Sequence, residues 1–420
     1  MADLNETPRA NRIHIAFFGL RNAGKSTLVN AFTGQDIAIV SDVAGTTTDP
    51  VSKAMEILPL GPCLVTDTAG LDDVGDLGAM RVRKTLDVLA TTDIAVWVTA
   101  VSAESGDDVP ADFRAACTAR AVTLLVYRRG DSVEELKRKI AAVRLVDDTP
   151  GLLDGIVSAG DRVICVCPID ESAPKGRLIL PQVQVIRDCL DRHLACTVCQ
   201  PAELADCLAS AADAARTVVV TDSQAFAAVH QTIQTFQTPP PQKKQTPKHP
   251  NIQTSKLPNP QTPKPILLTS FSILFARQKG DLDAYRAGLA ALAGLKDGDR
   301  VLVAEGCTHH RQCNDIGTTK IPKALAKLTC RKLDFVFSSG GGFPLESADG
   351  ARVALVVHCG GCMLTRREVQ RRIAACRAAG VPIVNYGLLL AAANGLRVAD
   401  VCCRGVFFTA RRGICYNSRT

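Results

Sequence analysis

Two short segments of this 420-residue chain combine residue types that bind different ligands. The first, GLRNAGKST, spans Gly19 to Thr27 and fits the phosphate-loop pattern G-x-x-x-x-G-K-[ST]. The second, HCGGCM, spans His358 to Met363 and places two cysteines across a two-residue gap. Glycine-rich backbone with a lysine suits a phosphate chain, whereas paired thiols suit zinc or an iron–sulfur cluster. The sequence therefore predicts a nucleotide site and a separate metal site.

Each position of the phosphate loop has an expected role. Gly19 and Gly24 let the backbone wrap the phosphates with its N–H groups pointing inward. Lys25 is expected to neutralise the β and γ oxygens, and Ser26 to offer its hydroxyl to Mg²⁺. The other positions expected to line the nucleotide are Asn22, Ala23 and Thr27. The apolar run IHIAFFG precedes the loop and STLVNAFTG follows it, which is the strand–loop–helix context that the motif needs.

Two further segments complete the order expected of a P-loop GTPase. Asp67 and Gly70 come from DTAG, where the carboxylate can hold Mg²⁺ through water and the glycine N–H can sense a γ-phosphate. Thr47, from the three threonines of VAGTTTDP, is expected to complete the metal shell as a switch residue. The predicted catalytic set is Lys25, Thr47, Asp67 and Gly70.

This region resembles GTPases of the TrmE–Era type. The resemblance implies that Asn22 binds K⁺, although Asn22 as a plain loop residue is the alternative. Leu71 stands where many small GTPases have a glutamine that orients water, so we expect slow, K⁺-stimulated hydrolysis. The family's guanine-reading N-K-x-D is replaced here by Arg128-Arg129-Gly130-Asp131. Asp131 is left as the predicted acceptor for the guanine N1 and N2 groups.

The cysteine segment has a partner upstream. Cys307-Thr-His309 and His358-Cys359-Gly-Gly-Cys362 are separated by 48 residues. Three thiolates with one weaker ligand favour a [4Fe–4S] cluster that keeps an exchangeable position, and zinc held by three cysteines and a histidine is the alternative. His309 and His358 are the candidate fourth ligands. Other residues weighed as ligands and expected to be structural or incidental are His310, Cys313, Cys196, Cys199, Cys402, Cys403 and Cys415.

Composition argues against a nucleic-acid or membrane protein. The formal charge is +7, from 49 basic and 42 acidic residues, but five of the lysines lie in residues 237–265, which leaves +2. No apolar run reaches the length of about 18 residues that a membrane span needs. Seventeen cysteines without the regular framework of a small secreted domain indicate a reducing compartment.

The chain divides into four predicted segments of an α/β protein. Residues 10–150 alternate apolar strands with helices, which predicts a P-loop GTPase domain with a parallel sheet. Residues 151–236 predict a small α/β unit, and residues 266–420 an α/β domain that carries the cluster. Between them, residues 237–265 contain nine prolines among 29 residues and repeat QTPK, which predicts an extended linker or insertion.

Over nearly its whole length the chain resembles the HydF family, the GTPase scaffolds that mature [FeFe]-hydrogenase. The first segment contributes GLRNAGKS, AGTTTDP and DTAG, and the second APKGRLILPQVQVIRDCLD and TDSQAF. The last contributes LTSFSILFARQKGDL, AEGCTHH, DIGTTKIP, HCGGCM and VPIVNYG. The pattern C-x-H…H-C-x-x-C together with a phosphate loop carries most of this resemblance.

The resemblance implies a specific biological role. It implies GTP with Mg²⁺ and K⁺ in the first domain, a dimerisation role for the second, and a [4Fe–4S] cluster on Cys307, Cys359 and Cys362. It also implies a diiron subcluster precursor as cargo, with the radical-SAM maturases HydE and HydG and apo-[FeFe]-hydrogenase as partners of a homodimer. The expected location is an oxygen-poor cytoplasm or a hydrogen-producing organelle. The alternatives are an RNA-modifying TrmE–Era GTPase and a GTPase switch with structural zinc.

Overall fold

The computed structural model describes most of the chain in two compact units. The described residues are 7–34, 51–71, 85–99, 109–144, 149–169, 176, 178–238, 266–306, 315–340, 342–346, 352–396 and 408–409. The first unit comprises residues 1–148 and 363–371, and the second comprises residues 149–362 and 372–420. Among the described helices none is long and apolar enough to cross a bilayer.

The first unit is built on a five-stranded sheet with the order β2-β3-β1-β4-β5. Only edge strand β2 runs antiparallel to its neighbour; the other pairs are parallel. Both faces of the central strands are covered by apolar side chains, which explains why the run IHIAFF is almost continuously hydrophobic. The elements are β1 (Ile13–Phe18), α1 (Lys25–Thr33), β2 (Val51–Ile57), β3 (Gly61–Asp67), β4 (Ile94–Thr99), α2 (Ala111–Ala119), β5 (Thr123–Arg128) and α3 (Val133–Ala141), and residues 85–89 are also helical.

The second unit contains two sheets. One has the order β14-β9-β8-β6-β7, with β14 antiparallel to β9 and the other pairs parallel. Its elements are β6 (Arg162–Val166), α4 (Leu180–Asp191), β7 (Ala195–Cys199), α5 (Leu204–Ser210), β8 (Thr217–Thr221), α6 (Phe226–Gln237), β9 (Ile266–Ser270) and β14 (Phe408–Thr409). The prediction that residue 266 begins a separate domain differs from this arrangement. β9 pairs with β8 because its wholly buried run ILLTS extends the sheet of the preceding segment.

The other sheet of this unit is fully parallel, with the order β11-β10-β12-β13. The two central strands, β10 and β12, are adjacent, and both of the predicted ligand segments follow their carboxyl ends. Its elements are α7 (Phe271–Lys279), α8 (Leu282–Ala290), β10 (Arg300–Glu305), α9 (Ile321–Thr329), β11 (Asp334–Ser339), β12 (Leu355–His358), α10 (Arg366–Ala379), β13 (Ile383–Asn385) and α11 (Tyr386–Ala393). Carboxyl ends of parallel strands are where α/β proteins place their sites.

The sequence predicted most of these elements. A strand lies within each of the apolar runs CLVTDTAG, DIAVWVTAV, VTLLVYRRG, VICVCPID, LDFVFSS, RVALVVHC and VPIVNYG. Helix α10 ends immediately before Gly380, and that glycine has a φ of 66°, as is common after the last residue of a helix. Cys196 and Cys199 both lie in strand β7, which begins shortly after the end of α4. The predicted linker lies outside the described residues from position 239 onward.

Candidate functional site

The nucleotide site lies where β1 and β3 end side by side. These parallel strands pair Phe17 with Asp67, so the phosphate loop and DTAG leave the sheet at the same edge. The Thr68 hydroxyl donates to the Phe17 carbonyl at 2.7 Å, and the Leu71 N–H donates to the Gly19 carbonyl at 3.4 Å. The register of two strands therefore brings together two motifs that lie far apart in the sequence.

The phosphate loop has the backbone that its glycines predict. Gly24 has a φ of 91° and directly precedes α1. Gly19 lies so close to β4 that a Cβ there would be 2.4 Å from the Val98 carbonyl oxygen. Since a side chain at that position would clash with backbone, glycine is required there for packing as well as for phosphate binding.

Lys25 and Asn22 occupy contrasting positions in the loop. The buried ammonium of Lys25 donates to the Gly19 carbonyl at 3.2 Å and to the Leu20 carbonyl at 2.7 Å. Asn22 is exposed and adopts a left-handed φ of 57°. That conformation favours asparagine over most residues, so local geometry alone gives Asn22 a structural reason to be there. Of the other predicted lining positions, Ala23 is buried and Thr27 is exposed.

Ser26 and Asp67 form the predicted magnesium pair. The Ser26 hydroxyl donates to Asp67 Oδ2 at 2.6 Å, and the Asp67 side chain is fully buried. Burial raises the pKa of Asp67, while the bond from Ser26 and the charge of Lys25 oppose that shift. Asp67 Oδ1 is buried with no hydrogen-bond partner in the part of the chain that the structure describes. A buried carboxylate oxygen without a donor fits a water of a magnesium shell.

Of the remaining residues predicted to serve the nucleotide site, the structure describes some and leaves others undescribed. Gly70 is buried in the loop that follows β3, and Leu71 packs against the apolar cluster on one face of the sheet. A leucine in that position cannot orient water, and slow hydrolysis stays a prediction. Thr47, with its neighbours at 46 and 48, lies outside the described residues.

Asp131 lies in a turn between β5 and α3. Its carboxylate Oδ2 accepts from the Arg128 N–H at 2.9 Å, and its carbonyl accepts from the Tyr127 hydroxyl at 2.8 Å. The side chain is exposed at the carboxyl end of β5, on the same edge of the sheet as the phosphate loop. Ser132 then caps α3 by accepting from the Glu135 N–H at 3.3 Å. The turn thus holds the carboxylate in a fixed orientation, as a guanine-reading acceptor needs.

The cysteine loop begins directly after β12. Cys359 N–H donates to the Ala304 carbonyl at 3.0 Å, so the loop starts beside the end of β10. Cys359 Sγ accepts from the Gly306 N–H at 3.1 Å and from the Gly361 N–H at 3.4 Å. Gly361 has a φ of 69°, which turns the chain toward Cys362. Backbone N–H groups around a thiol are the surroundings that iron–sulfur ligands have, so this donor set fits the predicted group.

The upstream ligands lie beyond the described residues. Cys307, His309, His310 and Cys313 belong to the segment 307–314 that the structure leaves undescribed. Gly306, the residue before Cys307, is nevertheless described and lies against Cys359 Sγ. Within the described residues, no group of three or more His, Cys, Asp or Glu side chains could hold a metal ion. The predicted third ligand therefore remains a prediction.

The surroundings of His358 favour a structural role. The side chain is buried, and its Nδ1 lies 2.7 Å from the Cys359 carbonyl oxygen. Its Nε2 lies 3.4 Å from Nη1 of Arg372, a fully buried arginine that also donates to the Gly340 carbonyl at 2.5 Å. Because an arginine only donates, this geometry requires Nε2 as acceptor and Nδ1 as donor. Both ring nitrogens thus have protein partners, which favours positioning of the loop over ligation.

Two residues that the sequence did not single out hold the cysteine loop. The Lys279 ammonium at the end of α7 donates to the Gly361 and Cys362 carbonyls, each at 3.2 Å. Burial lowers the pKa of Lys279 to about 8, and the neighbouring thiols of Cys362 and Cys359 oppose that shift. Asn385, fully buried at the end of β13, donates to the Cys359 carbonyl at 3.3 Å. Lys279 belongs to the segment FARQKGD and Asn385 to VPIVNYG, but neither residue is part of a recognisable motif, so the sequence predicted no role for them.

The second C-x-x-C has different geometry. Cys196 and Cys199 are three residues apart in the extended strand β7, so their side chains point to opposite faces of the sheet. Cys196 Sγ lies 3.8 Å from Cys165 Sγ, whereas Cys199 interacts with Cys207. These two thiols cannot bind the same metal ion, which agrees with the interpretation of both cysteines as structural residues.

Comparison with known proteins follows the division of the chain. Residues 14–147 match the family described as the 50S ribosome-binding GTPase. Residues 152–238 match the hydrogen maturase F dimerization domain, and residues 283–400 match the hydrogen maturase F tetramerization domain.

Individual relatives resemble the first domain. The tRNA modification GTPase MnmE of Rhodospirillum rubrum is 40% identical over 118 residues, 28% of this chain and 25% of that protein. MnmE of Methylococcus capsulatus is 41% identical over 96 residues, 22% of this chain and 21% of that protein. The chain thus spans about a quarter of the length of these curated relatives. The structure of an Aquifex aeolicus Era variant bound to GDP and AlF₄⁻ is 15% identical, covers 78% of this chain and 92% of its own, and has a TM-score of 0.25.

The domains together identify the protein's family. The first is a P-loop GTPase domain that binds GTP with Mg²⁺, and MnmE-like relatives agree with its predicted TrmE–Era type. The two that follow match models specific to hydrogen maturases, in an order that places the cysteine loop in the last of them. With a GTPase domain followed by both of these domains, the chain belongs to the hydrogen maturase F family.

Proposed function

We propose that this protein is a GTP-hydrolysing scaffold that carries a diiron subcluster precursor to apo-[FeFe]-hydrogenase on a [4Fe–4S] cluster domain. The observation that carries the proposal is the cysteine loop beside Gly306. Cys359 Sγ accepts from the N–H of Gly306, the residue that precedes Cys307. Gly306 and Cys359 lie at the carboxyl ends of the adjacent parallel strands β10 and β12. This geometry occurs within a domain that matches a hydrogen maturase.

The cluster would be held by this chain's own thiols. Cys359 and Cys362 would supply two ligands from the loop after β12, and Cys307, which follows β10 in the sequence, would supply a third. When bound, the cluster would supply an iron with an exchangeable position for the cargo. The protein's part would be to orient these thiols, with Gly306 and Gly361 donating to sulfur and Asn385 fixing the Cys359 carbonyl.

The GTPase domain would make partner exchange directional. Contacts to a γ-phosphate order the switch segments of a P-loop domain, and hydrolysis releases them. A scaffold must hold its cargo and then release it, so two nucleotide states suit two sets of partners. HydE and HydG would donate the precursor and the apo-hydrogenase would receive it. Equal affinity of the GTP and GDP forms for HydE and HydG would exclude this coupling.

The dimerization and tetramerization domains support an oligomeric scaffold, for which we propose a homodimer as the basic unit. We also propose K⁺ as the cation near Asn22, because the MnmE-like first domain resembles GTPases of that type. The chemistry of an oxygen-sensitive cluster favours an oxygen-poor cytoplasm or a hydrogen-producing organelle as the location. A charge of +2 outside residues 237–265 gives little support to nucleic-acid binding.

Activation of hydrogenase tests the proposal directly. The protein would be expressed anaerobically with HydE and HydG, purified, and mixed with inactive apo-[FeFe]-hydrogenase. We expect hydrogen evolution from wild type and none from Cys359→Ser. Cys330→Ser is the matched control, because Cys330 is an exposed thiol of the same unit that lies outside the cysteine loop. Absence of activation by iron-loaded, folded wild type would overturn the scaffold role.

A second candidate function is RNA modification, which the identity to tRNA modification GTPases favours for the first domain. It predicts tight binding of tRNA, which a filter-binding assay measures. The same preparation would distinguish the two candidates, because a scaffold should retain iron and activate hydrogenase without binding tRNA. Zinc in place of iron after anaerobic purification would instead indicate a GTPase switch with a structural zinc site.

A further inference from the structure

Lys279 is a buried cation at the end of α7, far in sequence from the loop that it contacts. The residue is only 4% exposed, and its ammonium lies 3.2 Å from each of the Gly361 and Cys362 carbonyl oxygens. The ammonium also lies 5.2 Å from the centre of the Phe275 ring. In the sequence, Lys279 lies between the two segments that match hydrogen maturase domains. The first of these segments ends at residue 238 and the second begins at residue 283.

Burial of a lysine requires a compensating partner. Removing an ammonium from water is costly, and neutral carbonyls offset that cost only in part. Among the residues that the structure describes, two lysines are buried, Lys25 and Lys279. Lys25 lies in the phosphate loop, where its charge meets the anionic phosphates. By this parallel the second buried ammonium also serves an anionic group, and the thiols of Cys362 and Cys359 lie close enough to interact with its charge.

The hydrogen bonds of Lys279 also fix the direction of the loop's peptide groups. In a trans peptide the C=O and the following N–H point in opposite directions. Because Lys279 holds the Gly361 carbonyl, the N–H of Cys362 must point away from the ammonium. On the other side of the loop, the Gly306 and Gly361 N–H groups donate to Cys359 Sγ. The loop thus turns carbonyls toward a cation and N–H groups toward sulfur.

We propose that Lys279 is a positioning residue of the cluster site, which fixes the Gly361 and Cys362 carbonyls and places a positive charge beside the two thiolates. The inference rests on the proposed function, since it requires a cluster on Cys359 and Cys362. It has two consequences for that cluster. The fixed loop and the charge favour thiolate ligation, so the cluster is retained more tightly. The charge also favours the reduced state, because reduction adds an electron beside a cation.

Three variants of the full chain separate these effects. Lys279→Met removes both the charge and the donor at nearly constant volume, Lys279→Gln keeps a donor without the charge, and Lys279→Arg keeps both. The matched control is Lys327→Met, because the Lys327 ammonium also donates to a backbone carbonyl, that of Ala393 at 2.6 Å. Each protein would be reconstituted anaerobically with iron and sulfide. The measurements are iron and sulfide per chain, competition with a chelator, and the midpoint potential followed by electron paramagnetic resonance.

We expect the Lys279→Met variant to bind its cluster about 10- to 100-fold more weakly than wild type, the usual loss when a group supporting a ligand is removed. Its midpoint potential should shift to a more negative value. Lys279→Arg should restore the potential, and Lys327→Met should behave as wild type. A role in folding alone would lower iron content without moving the potential of the cluster that remains.

Each contrary outcome identifies which idea fails. Wild-type retention and potential in the Met variant would overturn the role of Lys279 while the cluster proposal stands. Wild type that takes up no iron would overturn both. If thermal melting shows that the Met variant does not fold, the Gln and Arg variants decide the question. Equal potentials in those two proteins would overturn the role of the charge.

Discussion

The Ser26 hydroxyl donates to Asp67 Oδ2 at 2.6 Å, and this bond joins the phosphate loop to the end of β3. The other oxygen of the same carboxylate is buried with no hydrogen-bond partner in the residues that the structure describes. An unpaired buried oxygen costs about 1–3 kcal/mol, so the pair is arranged for something that supplies a donor. Water bound to Mg²⁺ is such a donor. A carboxylate that does not bind the metal directly can orient these water molecules.

Replacement of Asp67 by asparagine should weaken magnesium binding. The amide keeps an oxygen that can accept from Ser26 but lacks the negative charge that orients metal-bound water. We expect about a 10- to 100-fold loss of Mg²⁺ affinity in the presence of GTP, with a comparable loss of hydrolysis at limiting metal. The measurement is the hydrolysis rate as a function of magnesium concentration. Asp112→Asn, in the exposed first turn of α2, is the control and should leave the curve unchanged. An unaltered curve for Asp67→Asn would remove this residue from the metal site.

Asn22 has two explanations that one substitution separates. Its φ of 57° gives the residue a conformational role, whereas the resemblance to TrmE–Era GTPases gives its amide a role in K⁺ binding. Glycine adopts this conformation without strain but has no amide. We expect Asn22→Gly to bind GTP as wild type and to lose the faster hydrolysis in KCl relative to NaCl. If KCl still stimulates the variant, only the conformational explanation of Asn22 stands. In that case Asn22→Ala, which is strained at this φ, should reduce nucleotide binding itself.

Asp131 should carry what guanine preference the protein has. The turn fixes its carboxylate through the Arg128 N–H, and a carboxylate can accept from both N1–H and the 2-amino group of guanine. A hydrogen bond to a charged group contributes about 1.5–3 kcal/mol, so Asp131→Asn should lower GTP affinity by about tenfold or more. Competition with labelled GTP measures this, with inosine triphosphate as the probe that lacks the 2-amino group. The prediction fails if wild type binds both nucleotides equally or if the variant keeps its preference for GTP.

The nucleotide site was predictable because its information is local. Gly19, Gly24, Lys25 and Ser26 belong to one continuous loop whose backbone geometry depends on its own glycines. Asp67 was found from a second short motif, and the parallel register of β1 and β3 brings the two together. The sequence did not predict that Asp67 Oδ1 is buried without a partner among the described residues, since burial depends on the packing of the whole sheet.

The second unit was less predictable because its contacts span long separations. A buried apolar strand such as Ile266–Ser270 shows no preference for one sheet over another, so its pairing with β8 across residues 239–265 was missed. Lys279 was missed for the same reason, since Gly361 lies 82 positions further along the chain. His358 was a candidate fourth ligand because it precedes Cys359 in the sequence. Its surroundings also include Arg372, which only the fold brings near.

Asn385 should stabilise the cysteine loop before any metal binds. Its amide donates to the Cys359 carbonyl at 3.3 Å and to the His358 carbonyl at 3.4 Å, and its Oδ1 accepts from the Gly387 N–H at 2.8 Å. Removal of a fully buried amide leaves these groups without their partner, so Asn385→Ala should lower the free energy of unfolding by about 1–3 kcal/mol.

Urea unfolding of the metal-depleted protein measures the effect of Asn385→Ala, with the transition followed by circular dichroism. The matched control is Asn394→Ala, because the half-buried Asn394 also donates its amide to a backbone carbonyl, that of Leu390 at 2.8 Å. The control should lose less stability, since water can replace its partner. Because Asn385 holds the carbonyl of a proposed ligand, its variant should also release iron to a chelator faster than the control. Equal stability and equal iron release in the two variants would show that the loop's geometry is set elsewhere.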